Sequence, residues 1–216
     1  MLKAAIVYVQ GSGGNLLSRT LSLSEQTVAY LPVELSDKQP TLQMSAQERI
    51  KLYNNWNSAD WISTEKNLTV WYHYGLQDFY HYENTDLWLI DQFHPTMFKS
   101  ELDKQVLFKD ATSWTHLIFI KYKQSSLNTI IKLSKLKRSD LTHEAQIKKN
   151  ELVTFNKLIN TYPMAYSVFW EDFLEEDSFI RSITELSDKI NLVLNYSLVL
   201  ELWKSWKIET EKILNE

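Results

Sequence analysis

The residues best suited to chemistry lie in the stretch YVQGSGGNLLSRTLSL, Tyr8 to Leu23. Three of the chain's four glycines, Gly11, Gly13 and Gly14, fall within it. Glycine admits positive φ and lets a ligand approach the backbone closely, so such a turn can present several N–H groups to one point. Where the turn opens a helix, the first-turn N–H groups and the helix dipole favour an anion such as phosphate or sulfate. Ser12 and Asn15 add side-chain donors. A β-branched residue at Gly13 is expected to block the anion and spare the fold. A tight connection with no ligand uses glycine equally well, and the stretch alone leaves both readings open. Two stricter patterns do not fit. The Gly-Lys-Ser/Thr ending of nucleotide-hydrolase loops is missing, and G-x-G-x-x-G is broken after Gly14 by Asn15 and Leu16.

Such a turn needs a strand before it and a helix after it. Ala4–Val9 is a short, continuous apolar run of the kind that forms a buried strand, and Leu16, Leu17, Thr20, Leu21 and Leu23 follow at helical spacing. Val28–Val33, Thr69–Tyr74, Leu87–Phe93, His116–Tyr122 and Tyr166–Trp170 are further expected strands. SAQE, Ser45 to Glu48, has capping-box spacing and predicts a helix to about Asn57. Helices are also expected over Thr96–Lys104, from Ser125 to about Lys137, from SDLTHEAQ to near Tyr162, after Glu171, and from about Ser197 to Leu214. Strands separated by helices imply parallel pairing and an α/β sheet. No Pro/Gly/Ser-rich linker divides the chain, so residues 1–216 read as one domain.

Lys121, Lys123, Lys132, Lys135, Lys137 and Arg138 form a local basic stretch in a chain of net charge −4. From Lys132 onward a solvated helix face is the plainer reading. Lys121 ends a strand and is a candidate anion ligand. The aromatic run WYHYGLQDFYHY, with His73 and His81, reads either as an acceptor platform or as core. Glu171 and Asp172 are adjacent, so on a strand they would point to opposite faces; orienting a loop fits them better than paired acid/base work.

Composition narrows the function further. The acidic balance gives no global case for nucleic acid or an anionic membrane. The absence of cysteine excludes disulfides, thiolate metal sites and cysteine nucleophiles. No apolar run reaches membrane-spanning length, and the first residues lack a signal-peptide layout. A cytoplasmic protein is the expectation.

Four separated segments together resemble the PAPS-dependent sulfotransferases. VQGSGGNLL is similar to their 5′-phosphosulfate loop, with Ser12 and Gly13 on its Ser-Gly, Gly14 and Asn15 at its two threonines, and Gly11 at its basic residue. Arg19 follows one helical turn later as a further source of charge. LIDQFHP is similar to a strand ending in the family's histidine, which makes His94 the implied catalytic base; a neutral imidazole suits that task near neutral pH. HLIFIKYKQSSLNT is similar to the 3′-phosphate segment, with Lys121 for its arginine and Thr129 for its serine. YSVFWEDFLEEDSFIRSITELSDKINL is similar to the late strand and the Glu-Asp-Leu that follows it. Lys204 and Lys207 stand loosely for the basic C-terminal element.

The resemblance implies a three-layer α/β sandwich with a mostly parallel central sheet and P-loop architecture. It implies sulfuryl transfer from PAPS, with PAP as product, to a small-molecule or saccharide hydroxyl, without a metal. Two other readings compete. One is a non-catalytic anion- or nucleotide-binding protein on the same fold; the other is a different P-loop-like transferase or kinase.

Overall fold

The computed structural model describes residues 2–9, 11–26, 45–53, 88–93, 116–135, 153, 155–156, 159–160 and 165–215. Four strands are described: β1 (Leu2–Val7), β2 (Trp88–Phe93), β3 (His116–Lys121) and β4 (Tyr166–Phe169). They form one sheet in the order β2-β1-β3-β4, and every pairing is parallel. The α/β expectation therefore holds. The expected strands at 28–33 and 69–74, the helix at 96–104, His73, His81 and His94 lie outside the described residues, as does most of the helix expected to end near Tyr162.

Register explains why these apolar runs become central strands. Ile6 pairs with Ile118, and Ile120 with Val168, so these four fully buried side chains share one face. Val7 pairs with Phe119 on the other face, where the Phe155 ring meets Phe119 edge-on at 5.8 Å. A parallel sheet covered on both faces needs such unbroken apolar strands.

Five α-helices are described: α1 (Gly14–Leu21), α2 (Ala46–Tyr53), α3 (Leu127–Lys135), α4 (Glu176–Lys189) and α5 (Tyr196–Asn215). Helix α5 packs against the other four. Its buried residues Leu198, Val199, Leu202, Trp203, Trp206 and Thr210 recur at three- and four-residue spacing, which makes one continuous stripe. Lys132, on the exposed face of α3, donates from Nζ to the Leu214 carbonyl at 2.7 Å and so caps the far end of α5. Helix α4 stops at Asn191, whose φ of 55° is left-handed. There the Leu192 N–H reaches the Ser187 carbonyl at 2.8 Å and the Asn191 N–H reaches Asp188 at 3.2 Å, closing a Schellman motif. Among the described residues no helix is long and apolar enough to cross a membrane.

The capping box forms as its spacing predicts. Glu48 N–H donates to Ser45 Oγ at 3.3 Å, and Glu48 Oε2 accepts from the Ser45 N–H at 2.8 Å and from its hydroxyl at 2.6 Å. The Ser45 hydroxyl, and then its backbone N–H, hold the Glu48 carboxyl below the usual carboxylate range. A carboxyl lowered in the folded state stabilises above its unfolded pKa, and this contribution fades as pH falls through the lowered folded value. An NMR titration should therefore show a low Glu48 midpoint that returns toward the ordinary range in Ser45→Ala.

Helix α2 also carries Arg49, which is fully buried. One guanidinium nitrogen, Nη1, donates to the carbonyls of Ser22 at 2.6 Å and Ser24 at 2.7 Å. These carbonyls lie just past the C-terminus of α1, where the helix dipole favours a cation. Arg49 thereby fixes the end of the helix whose beginning forms the candidate site.

Candidate functional site

The four strands are parallel, so their carboxyl ends share one edge of the sheet, which is where an open α/β sheet binds ligands. The glycine turn leaves β1 at this edge. Gly11 has φ 91° and Gly13 φ 83°, both in the left-handed region. Gly13 is the N-cap of α1 and has no side-chain cap. The first bond of the helix runs from the Leu17 N–H to the Gly13 carbonyl at 3.0 Å, so the N–H groups of Gly14, Asn15 and Leu16 stand ahead of the helical ladder. No acidic side chain lies in that first turn.

Protein side chains account for much of the glycine requirement. A Cβ at Gly13 would lie 2.8 Å from Phe173 Cδ2 and 4.0 Å from Trp170 Cδ1, and a Cβ at Gly14 would fall on the Tyr8 ring. Aromatic rings therefore press on two of the three glycines. The expectation that a β-branched residue at Gly13 would spare the fold is corrected accordingly: Phe173 is fully buried and has no room to yield.

Ser12 is fully buried, and its hydroxyl and N–H both donate to the Val9 carbonyl, at 2.6 and 2.9 Å. Those bonds close the turn. Asn15 is half-buried on the first turn of α1. Arg19 is buried in the last turn, at the end of α1 opposite the glycines.

Lys121 is the last residue of β3 and is half-buried. Val7, the last residue of β1, pairs with Phe119, so β3 continues two residues further and brings Lys121 level with the root of the glycine turn. Thr129 is half-buried in the first turn of α3. Between Lys121 and Thr129 runs a 3-10 turn, Gln124–Ser126. Glu171 holds it from just beyond β4: its Oε1 accepts from the Lys123 N–H at 2.8 Å and from the Ser126 hydroxyl. The loop-orienting reading of Glu171 fits this geometry. The strand, however, ends at Phe169, and Glu171 and Asp172 lie in a second 3-10 turn, Trp170–Leu174. The candidate base His94 follows Phe93, which is level with Val7 at the end of β2, but it lies outside the described residues.

Sequence reasoning missed Trp170. Its side chain is 2% exposed, its edge lies beside Gly13, and its Nε1 has no hydrogen-bond partner among the described residues. A buried donor without an acceptor is costly, and an acceptor supplied by a ligand or by water relieves that cost. The available signal was an aromatic residue next to the acidic pair at a strand's end. Sequence reasoning also assigned Lys207 loosely to the family's basic element. Its Nζ donates to the Leu174 carbonyl at 2.6 Å and pairs with Glu211 at 3.4 Å.

No family model matches the chain, and no curated protein matches it. Among solved structures it is similar to the sulfotransferase domain from the Curacin biosynthetic pathway. The identity is 13%, the TM-score is 0.47, and the match covers 92% of this chain and 77% of that one.

Proposed function

We propose that the carboxyl edge holds the phosphosulfate donor PAPS and that the protein transfers its sulfuryl group to a hydroxyl acceptor, with a saccharide as the proposed acceptor class. The observation that carries this reading is the glycine turn. Two left-handed glycines at the end of a central parallel strand open a helix whose leading N–H groups carry no acidic neighbour. The Trp170 ring, whose Cδ1 edge lies beside Gly13 and whose buried Nε1–H has no partner among the described residues, also suits an acceptor-rich ligand.

The N–H groups of Gly13, Gly14 and Asn15 would hold the 5′-phosphate and sulfate, with Gly11 and Ser12 shaping the turn. Lys121 and Thr129 would take the 3′-phosphate, the first through charge and the second through its hydroxyl. PAPS would supply an activated sulfuryl group. With that donor bound, an acceptor hydroxyl would displace the phosphate leaving group from sulfur, and His94 would take the acceptor's proton. A non-catalytic anion-binding reading has one observation in its favour. Gly11 stands where the family carries a cation, so the loop itself brings no charge to the leaving phosphate.

Thermal shifts with PAP, ATP–Mg and sulfate separate these readings, because a ligand of the native state raises apparent stability by mass action. PAP should shift the protein most. A larger shift with ATP–Mg would favour a kinase-like transferase, and PAP binding without turnover of any hydroxyl acceptor would favour the non-catalytic reading. Lys121→Ala should weaken PAP by about 1.5–3 kcal/mol, the worth of a charged hydrogen bond. It should barely affect adenosine 5′-phosphosulfate, which lacks the 3′-phosphate. Titration calorimetry showing equal losses for both ligands would remove Lys121 from the 3′-phosphate.

A further inference from the structure

The turn Trp170–Leu174 is a junction. On one side its carbonyls are held by α5: Trp203 Nε1–H donates to the Phe173 carbonyl at 2.8 Å, and Lys207 Nζ donates to the Leu174 carbonyl at 2.6 Å. On the other side its side chains reach both turns of the candidate site. Phe173 presses on Gly13 with the Trp170 edge beside it, while Glu171 holds Lys123 and Ser126 in the turn after β3. A 3-10 segment has poorer internal hydrogen bonds than an α-helix, so its position depends on its external partners. The packing beneath it transmits shifts well. Phe173 meets Phe179 edge-on at 5.7 Å, and Phe179 stacks on Trp203 at 6.2 Å.

We infer that Lys207 and Trp203 are positioning residues for both halves of the site, acting through the 170–174 turn. Neither needs to touch a ligand. Their bonds fix one rigid segment that sets the glycine turn and the β3 turn together. The proposal extends the anion-site reading, but its first test stands independently of that reading.

That test is residue-resolved amide exchange on the full chain. Lys207→Met keeps the aliphatic stem and removes the donor. It should speed exchange by about tenfold, the low end of the worth of one charged hydrogen bond, at Ser12 and Leu17 and at Lys123, Ser126 and Leu127 together, the amides whose bonds close the two turns. Trp203→Phe should act in the same direction, and Lys207→Arg should restore the wild-type rates. Lys132→Met removes a comparable bond to α5, the one to Leu214, and should leave both turns unchanged. Acceleration at one turn only, at neither, or equally across the chain overturns the proposal. In a second arm, PAP affinity should fall several-fold in Lys207→Met and recover in Lys207→Arg. A wild-type protein that binds neither PAP nor sulfate defeats the anion-site reading, and the exchange result then decides the positioning role by itself.

Discussion

Gly13→Val should destabilise the whole protein, not just empty its turn. Gly13 has φ 83°, a conformation that β-branched residues strongly avoid. Holding a non-glycine residue there costs about 1–3 kcal/mol. The new Cβ would also lie 2.8 Å from Phe173, which is fully buried and packed against Phe179 and Trp206. Overpacking of that kind costs about 1–3 kcal/mol more. The sum is a large share of the roughly 5–15 kcal/mol that holds a typical domain together. Urea unfolding followed by circular dichroism should show a much lower midpoint. Gly13→Ala should lose less, because it lacks the branches. Adding Phe173→Leu to Gly13→Val should recover the packing part and leave the backbone part. A wild-type midpoint for Gly13→Val would show that the turn accommodates a side chain, and the steric account would fail.

Arg49→Met should cost about 2–4 kcal/mol, from two charged hydrogen bonds of about 1.5–3 kcal/mol each, less the desolvation relieved by removing the charge. The two bonds end on the carbonyls of Ser22 and Ser24, and Arg49 itself is fully buried. Methionine fills much of the same volume, so the loss reports the polar contacts and not a cavity. The end of α1 should loosen first, because its carbonyls lose their cap while the start of the helix keeps its own bonds. Arg49→Lys should rescue only partly, since an ammonium lacks the planar guanidinium geometry. Denaturant curves within about 0.5 kcal/mol of wild type, the range of ordinary surface substitutions, would show that water replaces the guanidinium there.

The sequence by itself determined those features whose causes lie among neighbouring residues. The β-branched run before the glycines makes β1, and the strand at His116 ends within one residue of its expected place, at Lys121. SAQE caps α2 through bonds three residues apart. Glycines at Gly11 and Gly13 mark the left-handed positions. Propensity, period and capping act over one or two turns of chain, so a reader of the chain can follow them.

Only the tertiary structure decided what those elements meet. Glu171 reaches Ser126 across 45 residues, Lys207 reaches Leu174 across 33, and Arg49 reaches Ser22 across 27. In the sequence Glu171 reads as a loop-orienting carboxylate and Lys207 as a loose stand-in for a basic element, but the groups they meet are not visible there. Their roles depend on strand order and on how α2 and α5 pack, which no local pattern encodes. The same applies to the glycine turn. Its spacing suggested room for a ligand at all three glycines, whereas packing lays Tyr8 and Phe173 against two of them. A missing side chain leaves space, and which group occupies it depends on residues distant in sequence that the fold brings alongside.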